Sequence, residues 1–212
     1  DLCSRRLPNS YGYSLFSDIQ VLTPGRKGEL GAAELNRSLQ QAVNPPSPEK
    51  QELTVGGVLF REGDKVMQVK NDYNLPWTRE DGTCGEGVFN GALGIIEKID
   101  RRAAAFTVRM EDRVILYEKE TAEELELAYA MTVHKSQGNE FPAVVIPMFR
   151  VAPQLSYRNL LYTAVTRAKS LLILVGREDI VRQMVANDKK TKRYTGLLDF
   201  LAGETENDEK NG

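Results

Sequence analysis

Five consecutive apolar residues, Leu171 to Val175 (Leu-Leu-Ile-Leu-Val), leave neither face of a strand for water. Antiparallel strands with one wet face alternate apolar and polar residues, so an unbroken run predicts a parallel strand covered on both sides. Parallel strands need crossover connections, and the chain supplies them. Asp18–Thr23 reads as a strand closed by Pro24 and Gly25, followed by a basic loop, Arg26-Lys27-Gly28, and a helical period over Leu30–Val43. Asn44-Pro45-Pro46-Ser47-Pro48 stops that helix, because proline lacks the amide and pushes its predecessor out of helical geometry. Later, Leu127–Thr132 and Ala143–Pro147 read as buried strands. Ser156 is placed to cap a helix from Tyr157 to about Ala168, and further helices are expected over Glu178–Asn187 and Tyr194–Leu201.

Between these α/β segments the pattern changes. Asp64–Val69 reads as a strand, and Asn71–Gly87 is polar and turn-rich. Leu93–Asp100, Ala103–Met110 and Arg113–Glu118 are short alternating runs joined by turns at Asp100-Arg101-Arg102 and Glu111-Asp112. The expected organisation is therefore an α/β frame with a small β-barrel or sheet set into it. The frame takes residues 1–50 and 125–202, the β unit residues 51–124, and a charged, apolar-free tail residues 203–212, expected to be disordered. Asp1–Ser17 has no clear period and begins as though cut from a longer chain.

Net charge is −2, which excludes coating of nucleic acid by bulk charge but not a local basic groove, since cations cluster at Arg26-Lys27, Arg101-Arg102, Arg167–Lys169 and Lys189–Arg193. The two cysteines, Cys3 and Cys84, make no metal-ligand pattern. No apolar run approaches the roughly 20 residues of a membrane span, and Asp1–Ser10 lacks a signal-peptide core. The expected setting is cytoplasmic.

Chemistry concentrates in two stretches. Tyr129–Phe141 (Tyr-Ala-Met-Thr-Val-His-Lys-Ser-Gln-Gly-Asn-Glu-Phe) carries the chain's one histidine, His134, among Thr132, Lys135, Gln137, Gly138 and Glu140. Such a mixture between two apolar segments suits either a strand-edge loop handling a polar ligand or a turn facing water. Arg158–Lys169 (Arg-Asn-Leu-Leu-Tyr-Thr-Ala-Val-Thr-Arg-Ala-Lys) is either a half-buried helix and nothing more, or one whose two threonines aim Arg167 at an anion. A planar, always charged guanidinium suits phosphate.

Together, Thr132–Phe141 and Leu161–Lys169 resemble two late motifs of superfamily 1 DNA helicases, closest to the RecD-like group that includes the exodeoxyribonuclease V alpha subunit. Val21–Gly31 resembles the motif opening that group's second RecA-like domain, and Gly63–Val69 with Asn90-Gly91 resembles segments of its SH3-like insertion. The resemblance covers roughly residues 16–202. It implies a RecA-like parallel sheet flanked by helices, P-loop-NTPase-like but without the phosphate-binding loop, carrying an SH3-like β-barrel. It implies that Arg167 is an arginine finger, and that Glu140, Gln137 and Gly138 border the nucleotide with Lys27 or Arg26 as a further phosphate contact. Thr132, His134 and Lys135 would face single-stranded DNA, His134 either touching it or bracing its loop. In the β unit, Asn90 belongs to the matched Asn-Gly pair, and Tyr73 and Trp77 would stack on bases unless Trp77 is a core anchor.

No Gly-x-x-x-x-Gly-Lys-Ser/Thr occurs, and Glu111-Asp112 lies in a hairpin rather than at the end of a buried parallel strand, where a magnesium pair would sit. The expectation is the carboxyl-terminal motor half of an ATP-dependent helicase of 5′-to-3′ polarity, with no metal site of its own. ATP and Mg²⁺ would be held by an N-terminal RecA-like domain of the parent. Expected partners are single-stranded DNA, duplex junctions and, in some assemblies, nuclease-complex subunits, but no membrane. The alternative is a stand-alone nucleic-acid-binding or scaffold module.

Overall fold

A computed structural model describes residues 1–188. A π-helical turn, Leu2–Arg6, runs into α1 (Leu7–Tyr11), which Gly12 ends in the left-handed conformation. Then come β1 (Ile19–Thr23), α2 (Ala32–Val43), β2 (Glu52–Val55), β3 (Val58–Arg61), β4 (Lys65–Gln68), β5 (Asp72–Arg79) and β6 (Cys84–Val88). The chain continues through β7 (Leu93–Asp100), β8 (Ala105–Met110), β9 (Arg113–Tyr117), α3 (Lys119–Ala122), β10 (Leu125–Leu127), β11 (Ala130–Thr132) and β12 (Phe141–Met148). It closes with α4 (Arg158–Val165), β13 (Ala168–Gly176) and α5 (Glu178–Ala186). Tyr194–Leu201 and the 203–212 tail lie outside the described residues.

Two sheets carry the architecture. One is four-stranded and wholly parallel, in the order β11-β1-β12-β13. The other is seven-stranded and wholly antiparallel, in the order β10-β4-β7-β8-β9-β5-β6. A separate hairpin, β2-β3, stands beside them. The period of two sorts the parallel strands between cores. Ile19, Val21, Ala143 and Val145 join Phe60, Ile96, Phe106 and Ile115 of the β unit in one cluster. Leu22, Val144, Ile146 and Met148 meet Leu160, Leu161 and Ala164 of α4 and Met184 of α5 in the other. The α/β frame therefore shares a continuous apolar core with the β unit on one side of its sheet.

Several expectations are revised. The apolar run Leu171–Val175 is a parallel strand, but β13 ends the sheet and is only half-buried, because it has one strand neighbour among the described residues. Leu127–Thr132 is not one strand. The chain leaves the antiparallel sheet after Leu127 and enters the parallel one at Ala130, with Ala128 and Tyr129 as the buried crossing. Asn71–Gly87 is a true hairpin, β5-β6, whose polar outward residues disguise it. Ser156 does not cap α4. Tyr157 occupies the cap position without a side-chain bond, and the helix ends at Val165, leaving Thr166 and Arg167 in the turn before β13.

Buried polar groups fasten the two sheets together. Lys65 is 2% exposed, and its ammonium donates to Leu15 O at 3.1 Å, Ile19 O at 3.4 Å and Gln20 Oε1 at 3.1 Å. Beside it, the Asp64 carboxylate accepts from Gln40 Nε2, Asn44 Nδ2, the Tyr129 hydroxyl and the Arg61 amide, at 2.6 to 2.9 Å. Asn36 of α2 clasps the crossing: its Nδ2 donates to Leu127 O and Ala130 O, both at 2.8 Å, and its Oδ1 accepts from the Ala130 amide at 2.7 Å. Each of these groups would be costly to bury unpaired, and each is satisfied. Among the described residues no helix is long and apolar enough to cross a membrane.

Candidate functional site

The loop Val133–Glu140 is wound so that its backbone serves itself. Lys135 and Ser136 amides donate to Thr132 O at 3.0 and 3.2 Å, Gln137 to His134 O at 3.4 Å, and Asn139 to Ser136 O at 3.1 Å. The fully buried Ser136 hydroxyl pins the turn to Val133 O at 2.8 Å. Gly138 takes φ +91°, which other residues adopt only with strain. With its backbone satisfied internally, the loop presents His134, Gln137 and Glu140 to solvent. Thr132, half-buried, ends β11 beside Thr23 of β1.

Arg167 is held by its neighbours. Nε donates to Thr163 O at 3.2 Å, one terminal nitrogen to Asn139 O at 3.1 Å, and the other to Thr166 Oγ1 at 3.3 Å. Thr166 Oγ1 in turn donates to Thr163 O at 3.0 Å. The backbone carbonyl of Arg167 accepts from the Phe141 amide at 2.8 Å, so residues 139–141 and 167 form one block. Three of the five guanidinium donors are used, which orients the group and leaves two for a ligand. Glu140 is exposed beside Lys169, 3.9 Å away.

The residues singled out from sequence fall into two groups. Arg26 and Lys27 follow the carboxyl end of β1, and Lys135 follows that of β11. Glu140 and Arg167 lead into the amino ends of β12 and β13. In a parallel sheet these are different edges, so Arg26 keeps company with Lys135 rather than with Glu140. Both cations meet Glu126 of β10: Arg26 at 3.2 Å and Lys135 at 2.7 Å. Lys27 is exposed next to them.

On the β unit, Tyr73 and Phe89 are exposed and meet edge-to-face, ring centres 5.8 Å apart. Asn90 donates its amide to Asn71 Oδ1 at 2.9 Å, and Gly91 O accepts from Asn139 Nδ2 at 3.4 Å. The Asn-Gly turn therefore abuts the loop that steadies Arg167. Trp77 is half-buried, with the Arg79 and Arg113 guanidinium carbons 5.2 and 4.5 Å from its ring centre, and it lies so close over Gly85 that a Cβ there would fall 2.3 Å from the indole. Glu126, Asn139 and Phe89 were not singled out from sequence. Phe89 alone left a trace, as an aromatic beside the Asn-Gly pair.

The parallel sheet flanked by helices and the antiparallel β unit make an α/β domain with an SH3-like insertion. Residues 35–110 match the SH3 domain of ATP-dependent RecD-like DNA helicases, and residues 127–175 match the UvrD-like helicase C-terminal domain. Over both segments the chain is similar to the RecD-like helicases. It is 36% identical over 188 residues to the ATP-dependent RecD2 DNA helicase of Deinococcus radiodurans, covering 86% of this chain and 23% of that protein. It is 30% identical over 193 residues to the RecBCD enzyme subunit RecD of Haemophilus influenzae, covering 88% of this chain and 25% of that one. A crystal structure of Pif1 helicase from Bacteroides in complex with ADP-AlF3 and single-stranded DNA shares the fold, with a TM-score of 0.55 at 19% identity over 97% of this chain and 48% of that one. The chain thus spans about a quarter of the length of these curated relatives.

Proposed function

We propose that this chain is the second motor half of an ATP-dependent DNA helicase of 5′-to-3′ polarity, with residues 51–124 inserted into a RecA-like frame. The reading rests on the bracing of Arg167 by Thr163, Thr166 and Asn139. A cation held in place before charge develops is what phosphoryl transfer requires, and such an arginine is worth about 10³–10⁵ in rate. The two uncommitted donors of Arg167, with exposed Gln137, Gly138 and Glu140 flanking the Asn139 that it contacts, fit one edge of a nucleotide. The remainder, with Mg²⁺, would be held by an N-terminal RecA-like domain of the parent. Bound ATP supplies the phosphoryl group; this chain's contribution is to orient and neutralise.

Thr132, His134 and Lys135, with Tyr73 and Asn90 on the β unit, would line the path of single-stranded DNA. Trp77 is a poorer stacking surface than Tyr73, because two guanidinium groups already lie against its ring. Duplex junctions, and nuclease-complex subunits where the parent works in such an assembly, are the expected partners.

The test has two arms. This chain alone should show no DNA-stimulated ATP turnover; robust turnover refutes the division of labour. In the full-length parent, Arg167→Ala should lower turnover at least about a thousandfold with nucleotide binding retained. Near-normal turnover there removes Arg167 from the role, and directional assays on tailed duplexes check the polarity.

A further inference from the structure

Among the described residues, Glu126 is the one carboxylate that touches cations from two separate loops of the parallel sheet. Its Oε1 lies 3.2 Å from Arg26 and its Oε2 2.7 Å from Lys135. The three side chains are unequally exposed, Arg26 at 69%, Lys135 at 32% and Glu126 at 29%, so the cluster is open to solvent on the arginine side. A cleft of about 290 Å³ opens there, between α2 and the tip of the β2-β3 hairpin, and Arg26, Arg37 and Glu126 line it. A carboxylate bridging an arginine and a lysine has the shape and charge of a phosphate's two non-bridging oxygens. Partly exposed ion pairs of this kind add little to stability, so exchange for a stronger anion costs little.

We propose that Arg26 and Lys135 form a seat for a nucleic-acid backbone phosphate and that Glu126 sets its affinity, occupying the seat in the free protein and giving way when a phosphate arrives. The proposal rests on the reading that this face takes single-stranded DNA. It moves Arg26 from the nucleotide to the nucleic acid, in keeping with its position at the carboxyl edge of the sheet beside Lys135. Glu126 belongs to β10, which is hydrogen-bonded into the antiparallel sheet through β4, while both cations belong to the frame. Phosphate binding would thereby release an ionic tie between the two.

Exchange has a signature in salt dependence. In the native chain the incoming phosphate sheds counterions, but the displaced carboxylate takes up a cation, so the two nearly cancel. Without the carboxylate, the shed counterions count in full, about 0.7 in the slope of log affinity against log salt per single-strand phosphate. Anisotropy of a labelled oligothymidylate should be titrated with this chain, with Glu126→Gln, and with Glu126→Gln in an Arg26→Ala/Lys135→Ala background, across a series of KCl concentrations. Gln is isosteric, and the pairing of β10 with β4 is backbone-borne, so the fold is kept. Glu126→Gln should bind about fivefold more tightly at low salt, with the steeper slope, and lose the gain in the doubly substituted background. Equal or weaker binding by Glu126→Gln, with native binding present, overturns the seat and leaves the helicase reading standing. A gain that persists without Arg26 and Lys135 is a bulk-charge effect and overturns it too. If no form binds DNA, the single-stranded-DNA reading falls and the seat with it.

Discussion

Substituting Lys65 by Met should change how the stability of this protein responds to alkali. Burial lowers the Lys65 pKa to about 8, against the attraction of the Asp18 carboxylate, from an unfolded value of 10.5. A cation whose folded pKa lies below its unfolded one contributes stability that is fully present above the unfolded value and lost as pH falls through the folded one. Between pH 8 and 10.5 the unfolded chain holds a proton at Lys65 that the folded chain has released. Raising pH in that window therefore stabilises the fold, by at most about 1.4 kcal/mol per unit and about 2 kcal/mol between pH 8 and 10. Lys65→Met removes this dependence. It also leaves Leu15 O, Ile19 O and Gln20 Oε1 without their donor, a deficit independent of pH. Urea midpoints for the two proteins at pH 7, 8, 9 and 10 give the answer by difference, which cancels the other titrating groups. The gap in favour of Lys65 should widen by about 2 kcal/mol over that range. Parallel curves would show that the ammonium is not desolvated as described, and the account of how the β unit is seated would fail.

Other outcomes are expected. Asn36→Leu leaves the carbonyls of Leu127 and Ala130 and the amide of Ala130 without their partner, and should cost about 2–4 kcal/mol in denaturant unfolding; a cost under 1 would mean water replaces the clasp. Gly85→Ala must displace the indole of Trp77, the chain's one tryptophan, and should cost about 1–3 kcal/mol with a change in its fluorescence maximum. An unchanged spectrum would refute the contact. Arg167→Lys in the parent should fare little better than Arg167→Ala in turnover, since an ammonium cannot make the three divergent bonds that brace the guanidinium.

Why some of this was legible in sequence and some not comes down to which forces are local. The β1-to-α2 unit could be read because proline, glycine and apolar spacing act within a few residues. The β7 to β9 meander could be read from its alternation and turns. The long-range polar groups could not. Lysine in a strand normally faces water, and nothing in Gly63-Asp64-Lys65 announces that the ammonium will be buried against carbonyls some 50 residues away in sequence. Asn36 sits in an ordinary helical period, yet its amide fixes the crossing from one sheet to the other. Leu127–Thr132 reads as one strand for the same reason, since local apolar character cannot say which sheet claims a residue. In the candidate site, the loop and Arg167 were visible as motifs. Glu126 was not, because a single glutamate between leucines carries no pattern, and its meaning lies wholly in what it touches.

Strands β4 and β10, where the chain enters and leaves the seven-stranded sheet, are hydrogen-bonded neighbours, Val66 opposite Leu127 and Gln68 opposite Leu125. The frame is therefore asked only to close a gap the width of one strand pair, whatever is hung between. Loop-closure entropy grows slowly with length, so the hung unit can lengthen or shrink at its far end at little closure cost while that pair and the shared apolar core are kept. A graft that preserves β4, β10, the Asp64-Lys65 anchor and the apolar residues that share the frame's core, Phe60, Ile96, Phe106 and Ile115, should leave the parallel sheet able to fold. The insertion is in this sense an exchangeable fitting, and the four residues of β4 are its socket.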